Sequence, residues 1–145
     1  MAASSSDMWL YQMSQAEWPE AQFRLEIWEG GSVYWPTRRV VGKSRPQPGD
    51  RMVCWYAQTG AALPGLVGWG LVLAYMPDRE EICWRPVVPS DELKMAPLFD
   101  NDLAIWVDKV RGRFKQSTMW QMSEDAADFI SERIVSRGIF KDREF

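Results

Sequence analysis

Two near-continuous apolar runs, Arg51 to Gln58 (RMVCWYAQ) and Leu66 to Tyr75 (LVGWGLVLAY), constrain this chain more than any other feature. Without polar alternation, runs of that length read as strands covered on both faces. The second carries Gly68 and Gly70 in its interior. Glycine inside a strand marks a bulge, a barrel corner or a close approach of neighbouring backbone. The pair, joined by a loop over Thr59 to Gly65, therefore predicts a curved and deeply buried sheet.

Shorter elements frame that pair. Met8 to Met13 (MWLYQM), Ile82 to Val88 and Arg113 to Met122 read as further strands. Trp18-Pro19-Glu20 has the proline of a first helical turn, and Gly30-Gly31 would end that helix. The alternation of Phe23, Leu25 and Ile27 also permits a strand there. Ser32 to Pro48, with Trp35-Pro36-Thr37-Arg38-Arg39 and two further prolines, favours an ordered loop closed by a Pro48-Gly49-Asp50 turn. Met76 to Arg79 reads as a turn and Ser90 to Lys94 as a short helical turn. Leu103, Trp106, Val107 and Val110 fall at helical spacing with Gly112 as a stop. Ser123 caps a closing helix that has Glu124 and Asp125 in its first turn, Ala127, Ile130 and Ile134 on its buried stripe, and Gly138 at its end. The sum is an α+β fold built on a small barrel with peripheral helices. A chain of 145 residues, 46% hydrophobic, has room for one such domain. The expected layout is a disordered leader over residues 1–7, a domain over 8–140 and a tail over 141–145.

Function is narrowed first by the absence of histidine. Ser-His-Asp and Cys-His nucleophile pairs are excluded, as are the usual imidazole-bearing zinc and iron sites. The acidic residues fall mostly in turns and at helix starts, where capping explains them. The expectation is a protein that is not an enzyme, with no cofactor and no metal. Cys54 and Cys83 each sit in an apolar run and read as buried thiols. No apolar run reaches the roughly 20 residues of a membrane span, and MAASSSD lacks the basic start and apolar stretch of a signal peptide. A cytoplasmic protein is expected.

Nine tryptophans are more than so small a core needs. Trp69 and Trp84 read as core, and the surplus suits an indole-lined pocket for a flat ligand or a cation. Charge is segregated as well. Arg38, Arg39, Lys43, Arg45 and Arg51 face only Asp50 between residues 38 and 51. Lys109, Arg111, Arg113 and Lys115 face no acid between 109 and 115. The net charge of the whole chain is nevertheless -3. Two basic segments on an acidic body suit phosphate contacts, or simply solvated faces.

Three stretches in order carry a resemblance. Trp9-Leu10-Tyr11-Gln12-Met13-Ser14 resembles an opening "W-L-x-x-x-S" strand. Trp35, followed by Pro48-Gly49-Asp50-Arg51 and the strand Met52 to Ala57, is similar to a tryptophan loop, a G-D turn and an aromatic strand. Pro64-Gly65-Leu66-Val67-Gly68-Trp69-Gly70, continuing to Ala74-Tyr75-Met76-Pro77-Asp78, resembles "P-G-I-V-G-x-G" running to "A-Y-P-D". Together they resemble the EVE family, a relative of the YTH and ASCH domains. This chain has Tyr56-Ala57 where the family often has His-Ser. The resemblance implies a PUA-like, small, partly open β-barrel whose mouth accepts one base flipped from DNA or RNA. A modified base such as 5-methylcytosine, 5-hydroxymethylcytosine or N6-methyladenine is the implied ligand, and any chemistry would reside on a separate effector enzyme.

On that reading Trp35 is the stacking lid, and Trp55 matches the family's pocket position better than Tyr56, since neighbours on a strand face opposite ways. Tyr11, Ser14, Thr37 and Gln58 are candidates for edge hydrogen bonds. Arg38, Arg39, Lys43, Arg45, Arg113 and Lys115 are candidates for phosphate contacts. A protein-interaction domain, or an aromatic cage for a methylated ammonium, is the alternative, although arginines beside Trp35 weigh against a cationic ligand.

Overall fold

Strand β1 (Met8–Ser14) and strand β4 (Arg51–Ala57) lie parallel at the centre of the molecule, paired from Met8 with Arg51 to Ser14 with Ala57. The computed structural model describes residues 7–14, 17–29, 31–57, 64–87 and 98–136. Between β1 and β4 the chain forms helix α1 (Glu20–Glu29), strand β2 (Val33–Pro36) and strand β3 (Val40–Val41). After β4 come strands β5 (Gly65–Met76) and β6 (Glu81–Pro86), helix α2 (Asn101–Arg111), strand β7 (Met119–Gln121) and helix α3 (Glu124–Ser136). The leader up to residue 6, Gln58, the helical turn at Ser90 to Lys94, the stop at Gly138 and the tail all lie outside the described residues.

The competition over Phe23, Leu25 and Ile27 is resolved as helix. Phe23 N–H donates to Pro19 O at 3.0 Å, closing the first turn behind the proline. Phe23 is buried while Leu25 is exposed, a separation that a strand would not produce because it would put both on one face.

The stretch expected to be an ordered loop, Ser32 to Pro48, carries β2 and β3. β2 pairs antiparallel with β6, from Val33 with Trp84 to Pro36 with Glu81, and β3 runs parallel to β7. Proline density concealed them, yet an edge strand tolerates a residue without an N–H. The reverse correction applies to Arg113 to Met122, where only Met119–Gln121 is strand. Two successive turns, Phe114 N–H to Arg111 O and Ser117 N–H to Phe114 O, both at 3.1 Å, occupy its first half.

The sheet order is β2-β6-β5-β4-β1-β7-β3. β2 and β3, at its two ends, are separated in sequence by Thr37 to Arg39 alone. That link can span no more than about 14 Å, whereas the edges of a flat sheet of this width would stand about 29 Å apart. The sheet must curl, giving a small α+β, partly open barrel. Bulges at Cys54/Trp55 and Val72/Ala74 supply the curvature. Gly70 marks the tightest point, because a Cβ there would strike the backbone of Arg85 and Pro86 on β6.

Alternation along the strands divides the apolar residues in two. Met8, Leu10, Val53, Trp55, Trp69 and Trp120 pack outward against Leu103 and Val107 of α2 and Ala126, Ile130 and Ile134 of α3. Trp9, Tyr11, Met52, Cys54, Tyr56, Ile82, Trp84 and Met119 fill the barrel interior with Trp35 of β2 and Phe23 of α1. Trp69 and Trp84 are fully buried, as expected, and both cysteines are free and buried. Asp50 is buried too, and its carboxylate accepts from Trp9 Nε1 at 3.0 Å, Gln47 N at 2.9 Å and Asp7 N at 3.2 Å. One side chain thereby shapes the Pro48-Gly49-Asp50 turn and ties it to the barrel interior.

Candidate functional site

β1 and β4 end side by side, at Ser14 and Ala57, beside a cleft of about 390 Å³. Residues from five separate segments line it: Tyr11 to Ser14, Glu17 and Trp18 ahead of α1, Trp35 and Pro36 of β2 with Arg38 of the β2–β3 link, Ala57 at the end of β4, and Lys115 to Thr118 ahead of β7. Its volume lies within the range that accommodates a small organic ligand.

The apolar wall is aromatic. The Trp35 ring lies 5.0 Å from Tyr11, 5.5 Å from Trp18, 5.6 Å from Phe23 and 4.8 Å from Trp84, centroid to centroid. All these pairs are tilted or edge-on, the arrangement ring quadrupoles favour. Polar bonds hold the wall in place. Tyr11 Oη donates to Pro36 O at 2.6 Å, and Tyr56 Oη donates to Trp18 O at 2.8 Å. Burial drives the Tyr11 phenol well above the ordinary tyrosine range, so it stays a neutral donor.

The β2–β3 link is tied to the segment that leads into β7, the strand β3 pairs with. Arg38 N–H donates to Thr118 Oγ1 at 3.1 Å, and Thr118 N–H donates to Arg39 O at 3.2 Å. Gln12 anchors the opposite wall: its Nε2 donates to Lys115 O at 3.1 Å, and its Oε1 accepts from Arg111 Nη1 at 2.9 Å. Arg111 in turn donates to Asp108 Oδ1 at 2.6 Å and holds that carboxyl below its usual range. Gly112, at φ 53°, ends α2 directly after this arginine and sends the chain back toward the cleft.

Charge at the mouth comes from Arg38, Lys115 and Glu17. Glu17 Oε2 stands 3.8 Å from Arg38 Nη2, and Lys115 Nζ stands 3.6 Å from Asp108 Oδ1. Deeper in, Trp18 Nε1, Trp35 Nε1 and Ser117 Oγ are buried without a hydrogen-bond partner among the described residues. Thr37 Oγ1, in the adjoining link, shares that condition. Buried polar atoms are nearly always paired, and these four leave unused hydrogen-bonding capacity in and beside the cleft. For metals, no group of three or more His, Cys, Asp or Glu side chains converges among the described residues.

The structure brings Tyr11, Ser14, Trp35, Arg38 and Lys115 together, but not every candidate residue. Trp35 is not a loop lid: it belongs to β2, is 2% exposed and forms wall rather than cover. Trp55 is displaced by strand parity to the outer face, where it packs 6.3 Å from Phe99. Tyr56 does face the interior, as alternation with Trp55 requires, but stands behind Trp18 and Phe23. Thr37 is buried beside the cleft without lining it. Arg39, Lys43, Arg45 and Arg113 are exposed and lie outside the lining. Arg45 borders a shallow depression with Tyr75, and Arg113 lies 5.3 Å over Phe114. Gln12, Glu17, Trp18, Ser117 and Thr118 were not legible as site residues. Only Trp18 had a signal, a large ring placed directly before a helix-starting proline.

No protein-family model and no curated protein matches the chain. Among solved structures, a hypothetical protein from Leishmania major is similar in fold, with a TM-score of 0.59 at 12% identity over 94% of this chain and 99% of that one. A Rhodopseudomonas palustris protein solved by NMR gives a TM-score of 0.50 at 11% identity, covering 86% of this chain and 90% of its own. Both likenesses concern the fold alone. Among the described residues no helix is long and apolar enough to cross a membrane.

Proposed function

We propose that this cleft captures a single modified base, flipped from a DNA or RNA strand, and that the chain is a non-catalytic reader with a PUA-like barrel of the EVE kind. The observation that carries the reading is the cleft's composition: Tyr11, Trp18 and Trp35 on one wall, buried unpartnered donors among them, and Arg38 and Lys115 at the mouth. Flipping a base costs a few kcal/mol, and stacking on an aromatic ring returns about 1 to 3 kcal/mol per base. Stacking alone therefore barely balances the cost. Cations placed for flanking phosphates supply the remainder, which makes the affinity salt-dependent. An effector enzyme on a separate chain would use the captured signal.

A second reading is favoured by one specific feature. Glu17 adds a carboxylate to the aromatic wall, and rings plus an acid suit a methylated ammonium. The two cations at the mouth oppose it.

Fluorescence-anisotropy titrations separate the two. Matched short oligonucleotides carry 5-methylcytosine, 5-hydroxymethylcytosine, N6-methyladenine or no modification, and a trimethyl-lysine peptide serves as the rival ligand. The reader predicts preference for one modified base, lost in Trp18→Ala and weakened in Lys115→Ala. Binding of the peptide with no oligonucleotide bound at low salt would transfer the assignment to the ammonium cage.

A further inference from the structure

We infer that Glu17 sets the charge selectivity of the cleft by acting as a built-in counter-ion that an incoming anion must displace. The inference rests on the proposed ligand being anionic at the mouth, but it has an independent test.

Both cations at the mouth already face an acid. Lys115 faces Asp108, which is committed by a 2.6 Å bond to Arg111 and lies outside the cleft lining. Arg38 faces Glu17, and that pair differs in kind: both side chains are largely exposed, at 77% and 72%, and both residues line the cleft. Among the described residues, Glu17 is the one acid in the lining. Its backbone is anchored, because Glu17 N–H donates to Ser14 Oγ at 3.2 Å. Ser14 Oγ also donates to Glu17 Oε1 at 3.4 Å, so the carboxylate is held only by this long bond and the loose pair with Arg38. The cleft thus presents an exposed, weakly held negative group on an anchored stem, facing the arginine of the β2–β3 link.

An exposed pair of this geometry is weak, so a phosphate can replace the carboxylate at Arg38. While Glu17 remains, it also opposes nearby negative charge. Glu17 therefore leaves one net positive charge among the lining residues where Arg38 and Lys115 alone would give two, and anions held by charge alone are disfavoured relative to a ligand that also fills the aromatic wall. Glu17 converts a generally anion-attracting opening into one that demands a stacked base.

The test uses the intact protein and two readouts. Inorganic pyrophosphate is titrated while tryptophan fluorescence is followed, since Trp18 and Trp35 line the cleft. The same proteins are then titrated with the modified and unmodified oligonucleotides. Glu17→Gln is expected to bind pyrophosphate roughly 2- to 5-fold more tightly than wild type, the change expected from an exposed ion pair. It should also narrow the preference for modified over unmodified strands. Glu17→Asp should retain wild-type behaviour. Unchanged or weaker pyrophosphate binding in Glu17→Gln, with an unchanged thermal midpoint, would overturn the inference. If wild type ignores every oligonucleotide but Glu17→Gln still gains pyrophosphate affinity, the base-reader proposal fails while the counter-ion role stands.

Discussion

Tyr11 and Asp50 show how single polar groups fix an aromatic interior. Tyr11 is buried against Trp35, and its hydroxyl donates to Pro36 O. Its ionisation is pushed upward chiefly by burial. A group whose folded pKa is raised above its unfolded value stabilises the fold fully below the unfolded value, about 10 for tyrosine. That contribution disappears as pH climbs above it. Alkaline unfolding followed by circular dichroism should therefore begin above about pH 10 and move to higher pH in Tyr11→Phe, and an unmoved transition would show that another group governs it. Asp50 gives a larger prediction. Removing its carboxylate strands the Trp9 indole N–H inside the core along with two backbone N–H groups. Asp50→Ala should lose about 2 to 4 kcal/mol in urea denaturation, consistent with losing charged hydrogen bonds and leaving a buried donor unpaired.

Elements follow the same logic through strand parity and backbone approach. The long strands β4 and β5 were legible because apolar runs without alternation have few other destinations, and α3 because Ser123 caps it: Ser123 Oγ accepts from Ala126 N at 3.2 Å. β2 and β3 were not legible, since four and two residues carry no periodicity and their partners are distant in sequence. For the same reason Trp55 was assigned to the pocket. Alternation tells that Trp55 and Tyr56 part company, but which face is interior depends on how the whole sheet curls. The glycines of β5 were read correctly as a sign of curvature, and this makes a prediction at the same scale. Gly70→Ala forces β5 and β6 apart and should cost about 1 to 3 kcal/mol, as overpacking does. A variant with unchanged stability would mean that the approach of these two strands is not tight.

At the scale of the whole molecule, one cleft follows from the barrel's own construction. A sheet whose end strands are joined by three residues cannot lie flat, and the cleft sits at the end of the curled sheet where β1 and β4 terminate. Rings of the interior cluster, Tyr11, Trp18 and Trp35, line that cleft. Little of this was visible in the sequence beyond Tyr11, Ser14, Trp35, Arg38 and Lys115, because the cleft is assembled from five segments that only the topology brings together. The most direct test of the central claim is a two-dimensional nitrogen–proton spectrum of the tryptophan side chains, recorded while a short strand bearing the preferred modified base is added. The account predicts that the indole N–H signals of Trp18 and Trp35 shift and saturate together while Trp55 and Trp106 stay in place. Saturable shifts at Trp106 or Trp55 with Trp18 and Trp35 unmoved would place the ligand elsewhere and contradict it.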